Sequence, residues 1–164
     1  ALCIAITTTD GRIVMEKRDN VDVYSGRYHV IGGFMERPHD FYEGTPNPFH
    51  GITREVEEEV GLKLPAHAVR LTGVVYDLIT PHPELCFCAE SNLSSREITR
   101  IFRRSEKDHE VEKLSYIDAS KEKLGEFIVS RRRVTSVTGQ ACLLLYGKHK
   151  YGAAWFRTVL DSLD

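Results

Sequence analysis

The stretch Arg54-Glu55-Val56-Glu57-Glu58-Glu59-Val60-Gly61-Leu62 places four glutamates in nine residues. On a helix Glu55, Glu58 and Glu59 fall at i, i+3 and i+4, so their carboxylates share one face. Ile52, Val56 and Val60 form the neighbouring stripe, which suits burial against a sheet. Glu57 points away, toward solvent. The arrangement is locally unfavourable. Each like-charge pair at this spacing costs about 0.2–0.5 kcal/mol. Glu58 and Glu59 also occupy the last turn, where the helix dipole disfavours each anion by about 0.3–1 kcal/mol. Arg54, one turn before Glu58, offsets part of that sum. A divalent cation offsets all of it, because Mg²⁺ takes oxygen ligands and acts through a few carboxylates together with substrate phosphates. The competing reading is a solvated acidic face. Gly32-Gly33 upstream and the i, i+3, i+4 geometry weigh against that reading, and Gly51, one turn before Glu55, leaves room for close approach.

The rest of the chain must hold this face in place. Asn47-Pro48 opens the helix, with Asn as N-cap and Pro in the first turn, and Gly61 stops it at the C′ position. Asp10-Gly11 between the runs 2–8 and 12–17 predicts a β-hairpin. Residues 28–31 predict a short strand ending at Gly32-Gly33. Residues 37–47, rich in Pro, Gly, Asp and Asn, predict a loop. Strands are expected at 69–79 and 85–90, joined by the turn Pro81-His82-Pro83, and at 110–117. Ser94-Ser95 caps a helix running to Arg104. Further helices are expected at 120–129, 138–148 and 151–163, the last two broken near Gly152. Strands and helices are mixed after an antiparallel hairpin, which favours a mixed sheet flanked by helices over a doubly wound parallel sheet.

Composition narrows the function classes. A chain of 164 residues suffices for one domain with a real core. Its net charge of -2 gives no global attraction to nucleic acid or membrane, so any basic site is local. The longest apolar run, 141–146, is too short to span a bilayer. The opening residues lack a basic flank and a cleavage signal and read as a strand rather than a signal peptide. Without an initiator methionine, the chain reads as trimmed or as a piece of a longer protein. Cys3, Cys86, Cys88 and Cys142 form no C-x-x-C pair. They read as buried free thiols in a reducing, cytoplasmic setting rather than as disulfides or a zinc site.

Residues 54–62 match R-E-U-x-E-E-x-G-U, with U aliphatic, at every specified position. This is the second half of the Nudix box. Gly32-Gly33 resembles the glycine pair that opens that box, and the first hairpin and the short strand before the glycines sit where Nudix domains place theirs. The chain therefore resembles the Nudix hydrolase family over its whole length. That resemblance implies an α/β fold, an α/β/α sandwich with a mixed sheet flanked by helices, in a single domain over 1–164. The first half of the box departs from the pattern. The family spacing G-x5-E-x7-R puts fourteen positions between glycine and arginine, whereas Gly33 to Arg54 spans twenty-one, so the loop carries seven extra residues. His39 and Pro46 stand where that spacing expects a glutamate that helps orient the box. Glu36 and Glu43 are the available substitutes. A weaker likeness around His109-Glu110 and 136–146 connects the chain with Nudix members acting on UDP-glucose.

The resemblance implies Mg²⁺-dependent cleavage of a nucleoside diphosphate linked to another moiety, with Mn²⁺ as the alternative metal and a nucleotide sugar as the leading substrate. Glu55, Glu58, Glu59 and the Gly33 carbonyl are the implied metal ligands, and Arg54 positions a glutamate. Glu58 is the first choice of general base, with Glu110 and Asp108, beside His109, as loop alternatives. Arg96, Arg100, Arg103 and Arg104 form one basic helix face, and Arg131-Arg132-Arg133 a second cluster. Either is a candidate for substrate phosphates, and a solvated face is the competing reading. Tyr24, Tyr28 and Phe34 are candidates for stacking on a base, core packing being equally open, and Trp155 reads as core or interface. The expected partner is a small-molecule nucleotide, without membrane or nucleic acid, and a homodimer is open. One alternative is a Nudix-fold sensor that binds a nucleotide without turnover. The altered first half favours it and the intact acidic helix opposes it. A Nudix-type isomerase would need a cysteine pattern that Cys86 and Cys88 do not supply.

Overall fold

The computed structural model describes residues 1–18, 25–105 and 111–163. Strand β1 (Leu2–Thr7) is buried along its whole length. Leu2, Ile4 and Ile6 point into one core and Cys3 and Ala5 into another, as expected of a central strand covered on both faces. It runs parallel to β8 (His82–Glu90), with Cys3 opposite Cys86. It pairs antiparallel with β2 (Arg12–Arg18) near their hairpin, Thr7 opposite Ile13. At the other end of β1 and β2 two short strands take over. β4 (Ile31–Gly33) pairs with β1, and β3 (Tyr28–His29) pairs with β2. β7 (Val69–Asp77) lies outside β8, and β9 (Val111–Asp118) pairs with β2. The sheet is mixed, as expected.

Helices cover both faces. α1 (Pro48–Val60) and α2 (Ser95–Arg104) bury Ile52, Val56, Val60 and Ile98 against Leu2, Ile4, Ile6 and Phe87. α3 (Lys121–Ser130), α4 (Val137–Tyr151) and α5 (Ala153–Asp161) close the other face through Leu124, Ile128, Leu143 and Trp155. Trp155 is a core residue, its indole N–H donating to the Lys121 carbonyl at 2.9 Å. Among the described residues no helix is long and apolar enough to cross a membrane.

α1 follows its local signals closely. The Asn47 side chain accepts the His50 N–H at 3.1 Å, and Gly61 ends the helix in the left-handed conformation. Other boundaries differ from the sequence expectation. The segment 28–33 forms two strands, and both glycines lie inside the second. The expected loop at 37–47 contains a small hairpin, β5 (Phe41–Tyr42) with β6 (Thr45–Pro46). The turn between β7 and β8 comes earlier than Pro81-His82-Pro83. The Asp77 carboxylate accepts the N–H groups of Ile79 and Thr80 and the Thr80 hydroxyl, and this brings the chain round within 78–81. His82 and Pro83 are consequently strand residues facing Asp77 and Tyr76.

Candidate active site

The acidic face of α1 meets β4. A Cβ on Gly33 would lie 2.4 Å from Glu55 Oε2, so the Glu55 carboxylate occupies the space a side chain would need. The Gly32 N–H points to Glu59 Oε2 at 3.4 Å. Gly32 in turn packs on β1, where a Cβ would come 2.3 Å from the Leu2 carbonyl oxygen. The pair of glycines thus seats two glutamates of one helix against one strand end. Glu16, buried in β2, joins them. Burial, and then the neighbouring Glu16 carboxylate, push Glu59 well above the ordinary carboxylate range. Burial also pushes Glu55 up to about 7, against the pull of the Arg54 guanidinium. The enclosed donors are carboxylate oxygens, with Arg54 on Glu55 at 2.8 Å and Arg18 on Glu16 at 3.6 Å as the neighbouring cations. This set fits a hard divalent cation rather than a thiophilic one.

Arg54 organises the other side. Its Nε donates to Asp40 Oδ1 at 3.0 Å and one terminal nitrogen to Asp40 Oδ2 at 2.7 Å, a bidentate grip. The same nitrogen reaches Glu55 Oε1 at 2.8 Å and the Phe34 carbonyl at 3.1 Å. The second terminal nitrogen reaches Glu58 Oε2 at 2.6 Å. One guanidinium therefore ties a loop carboxylate, the backbone after the glycines and two helix glutamates together. Asp40 is fully buried. It also accepts the Glu36 N–H at 2.8 Å and lies 3.3 Å from His50 Nδ1, and its own carbonyl accepts the Asn47 N–H. Arg54 and the Glu36 N–H hold its carboxyl down at about 2 despite burial. Gly51 makes room for it: a Cβ there would come within 3.2 Å of the Asp40 carboxyl and 2.8 Å of Leu2.

The expected residues are thus only partly gathered. Glu55, Glu59 and Gly33 come together. Glu58 does not join them, because Arg54 sits between it and Glu55 and its side chain is 57 % exposed. Among the described residues the one group of three ligating side chains within 4.8 Å of one another is a set of thiols, not these carboxylates. Glu57 faces solvent and pairs with Lys63, as its helical phase predicts. The loop carboxylate that Arg54 holds is that of Asp40. Glu43 sits at the tip of the small hairpin with φ 49. Arg96, Arg100, Arg103 and Arg104 line a groove of about 650 Å³ with Ser95, Thr99 and Tyr116. Arg131 is not part of it. It lies at the end of α3, on the opposite face of the sheet, lining a separate cleft with Phe127 and Val134. Glu110, Asp108, His109 and Tyr24 lie outside the described residues.

Two features escaped the sequence reading altogether. Glu16 sits in a run, Glu16-Lys17-Arg18, that reads as a polar strand edge, yet it is buried. His82 and Glu84 line a narrow cleft with Gly32, Gly33, Phe34 and His29. His82 Nε2 is 3.3 Å from Glu84 Oε2, and the Phe34 ring tilts over the imidazole at 5.7 Å. Their alternation along β8 was visible, but the strand was expected to start at Leu85.

The sequence matches no protein-family model and no curated protein. Solved structures do match. A MutT protein from Methanosarcina mazei Go1 superposes with a TM-score of 0.61 at 14% identity, over 91% of this chain and 92% of its own. The Nudix domain of Shewanella oneidensis NrtR, complexed with ADP ribose, gives 0.61 at 11% identity, over 92% and 85%. A Nudix hydrolase from Nitrosomonas europaea gives 0.59 at 17% identity, over 91% and 89%. These identities speak for architecture alone, and on that architecture, with the acidic helix face seated on the glycine strand, the chain adopts the Nudix fold.

Proposed function

We propose that this protein is a Mg²⁺-dependent pyrophosphohydrolase that cleaves a nucleoside diphosphate linked to another moiety, with a nucleotide sugar as the leading substrate. The observation that carries the reading is the Glu55–Glu59 pair enclosed over Gly32-Gly33 beside a fully clamped Arg54. Glu55, Glu59 and the Gly33 carbonyl, with Glu58 at the open edge, are the residues that would hold Mg²⁺ or Mn²⁺. An ion held there would neutralise phosphate oxygens and let a polyanion approach a cluster of carboxylates. The chain's own groups do the rest. Arg54 fixes the directions of Glu55 and Glu58. Glu58, open to solvent, takes the proton of the water that attacks phosphorus as the bridging P–O bond breaks. The α2 arginines, in a groove of their own, are the candidate for binding a phosphate in bidentate fashion.

The ligands of two neighbours support a nucleotide as the molecule bound. NrtR's Nudix domain is complexed with ADP ribose, and a bifunctional NMN adenylyltransferase/ADP ribose pyrophosphatase from Francisella tularensis, TM-score 0.59 at 13% identity, is complexed with AMP and a manganese ion. The displaced upstream acid was the argument for a sensor without turnover. Asp40 gives Arg54 a loop carboxylate, which supports the hydrolase reading over the sensor.

The test is a panel of nucleotide sugars, dinucleotides and nucleoside triphosphates incubated with Mg²⁺, products separated by chromatography. At least one compound is cleaved to a mononucleotide, and Glu59→Gln lowers that rate by two or more orders of magnitude while keeping the native circular dichroism. A folded protein that cleaves none of them overturns the proposal.

A further inference from the structure

Behind the glycine strand, on the other face of the sheet, three of the four cysteines meet. Cys3 comes from β1, Cys86 from β8 and Cys142 from α4. All are fully buried. The sequence distances between them gave no hint of a cluster. Parallel pairing puts Cys3 opposite Cys86, and α4 lays Cys142 across the pair. The three sulfurs lie within 4.8 Å of one another, with Cys3 Sγ 3.7 Å from Cys86 Sγ. Cys142 Sγ is 3.6 Å from the Phe87 carbonyl oxygen. Cys88, two residues along β8, is outside the set.

These distances can be compared with what a soft centre requires. A metal–sulfur bond of about 2.3 Å sets three sulfurs about 3.7–4.0 Å apart, from pyramidal to planar. Cys3 and Cys86 already stand at that spacing, and Cys142 lies within 4.8 Å of both, on three rigid elements. Among the described residues no fourth His, Cys, Asp or Glu ligand atom joins them within 4.8 Å. A four-coordinate zinc site is therefore incomplete here. Hard ions are excluded by the donors, since thiolates select soft centres.

We propose that Cys3, Cys86 and Cys142 form a three-sulfur binding site for a thiophilic centre, with trivalent arsenic as its preferred occupant. Charge decides the preference. Three thiolates around a monovalent ion leave a net charge of −2, and around a divalent ion −1, which an apolar core opposes by several kcal/mol. Arsenous acid leaves none. Its three As–O bonds break, three As–S bonds form, the three thiol protons join the departing hydroxides as water, and no electron changes hands. Cys3 donates its S–H to Cys86 Sγ at 3.7 Å and Cys142 donates its own to the Phe87 carbonyl, so Cys86 is the accepting sulfur of the set. The site also touches the catalytic side. Gly32 pairs opposite Cys3, and a Cβ on it would come 2.8 Å from Cys3 Cα, so an occupied trio lies one backbone contact from the glycine that holds Glu59.

The test needs no hydrolysis assay, so its outcome is separable from the proposed activity. Reduced protein is incubated with sodium arsenite. A second sample is unfolded and refolded with arsenite, so that burial cannot block entry. Both are desalted. Native mass spectrometry is expected to show one arsenic gained and three hydrogens lost, and arsenic X-ray absorption three sulfur neighbours without oxygen. Cys142→Ser and Cys3→Ser each lower retained arsenic at least tenfold, and Cys88→Ser retains it in full. If a serine variant does not fold, the neighbour count of the wild-type protein decides. Failure to retain arsenic in either sample, equal retention by Cys142→Ser, or two sulfurs with one oxygen would show that the thiols merely pack.

Discussion

Asp40→Asn removes one charge from the clamp and changes almost nothing else in shape. Asp40 is held at a pKa of about 2, against 3.8 without the fold, by Arg54 and the Glu36 N–H. That depression corresponds to about 2 kcal/mol of native-state stability at neutral pH. Measured losses on breaking buried ion pairs run somewhat higher, about 3–5 kcal/mol, because the partner charge is stranded. Arg54 keeps Glu55 and Glu58 as partners, which argues for the lower figure. Urea unfolding at pH 7 followed by circular dichroism should therefore place the variant about 2–3 kcal/mol below the wild type.

The pH dependence makes the prediction sharper. The folded pKa lies below the unfolded one, so the unfolded chain binds the proton first as pH falls. The stabilisation is complete above the unfolded value and drains away as pH drops through the folded value. The gap between the two proteins should shrink to roughly half, about 1 kcal/mol, at pH 3. Other carboxylates titrate in both proteins and cancel in the difference. A gap below about 0.5 kcal/mol at pH 7, or one that stays constant down to pH 3, would refute the view that Asp40 carries the clamp. Turnover offers a second readout. Arg54, released on one side, no longer holds Glu55 and Glu58 in fixed directions, and kcat should fall with KM nearly unchanged.

Three further outcomes follow from the packing around the site. Gly33→Ala meets only the end of the Glu55 side chain. It should change unfolding free energy by less than about 1 kcal/mol yet lower hydrolysis more than tenfold, because the carboxylate must move. Gly32→Ala meets the Leu2 carbonyl and the Cys3 backbone, and should lose about 1–3 kcal/mol in the same urea assay. His29 is buried, with Nε2 3.2 Å from the Thr138 hydroxyl, and burial holds its pKa down at about 3. The unfolded chain takes up that proton from about pH 6.5 downward, so the wild type should lose about 2 kcal/mol between pH 7 and pH 5 that a His29→Gln variant does not lose; parallel profiles would count against it.

Much of the site was legible because its signals are local. Asn47, Pro48 and Gly61 bound one helix by capping and backbone rules that need no tertiary partner. The phase of Glu55 and Glu57 on that helix then follows from its pitch alone. Glu58 shows where pitch stops being enough. It shares the face, but Arg54 lies between it and Glu55 and turns it outward. Glu16, the His82–Glu84 pair and the thiol trio depend on which strands pair, and sequence spacing carries little information about pairing across the whole chain.

Asp40 is the instructive miss, since its position was sought by counting. The family spacing pointed to His39 and Pro46, and the neighbouring glutamates looked like substitutes. Counting fails because spacing is energetically soft and the clamp is not. Lengthening the segment between Gly33 and Arg54 from fourteen to twenty-one positions adds only about 0.4 kcal/mol of loop-closure entropy. Losing the carboxylate on Arg54 costs about 2 kcal/mol by the linkage argument. A loop can therefore take seven more residues, provided some carboxylate returns to Arg54. The small β5–β6 hairpin, tied back by the Asn47 N–H on the Asp40 carbonyl, returns one. The residue that comes back is an aspartate, and Gly51 leaves just the room that this shorter side chain needs.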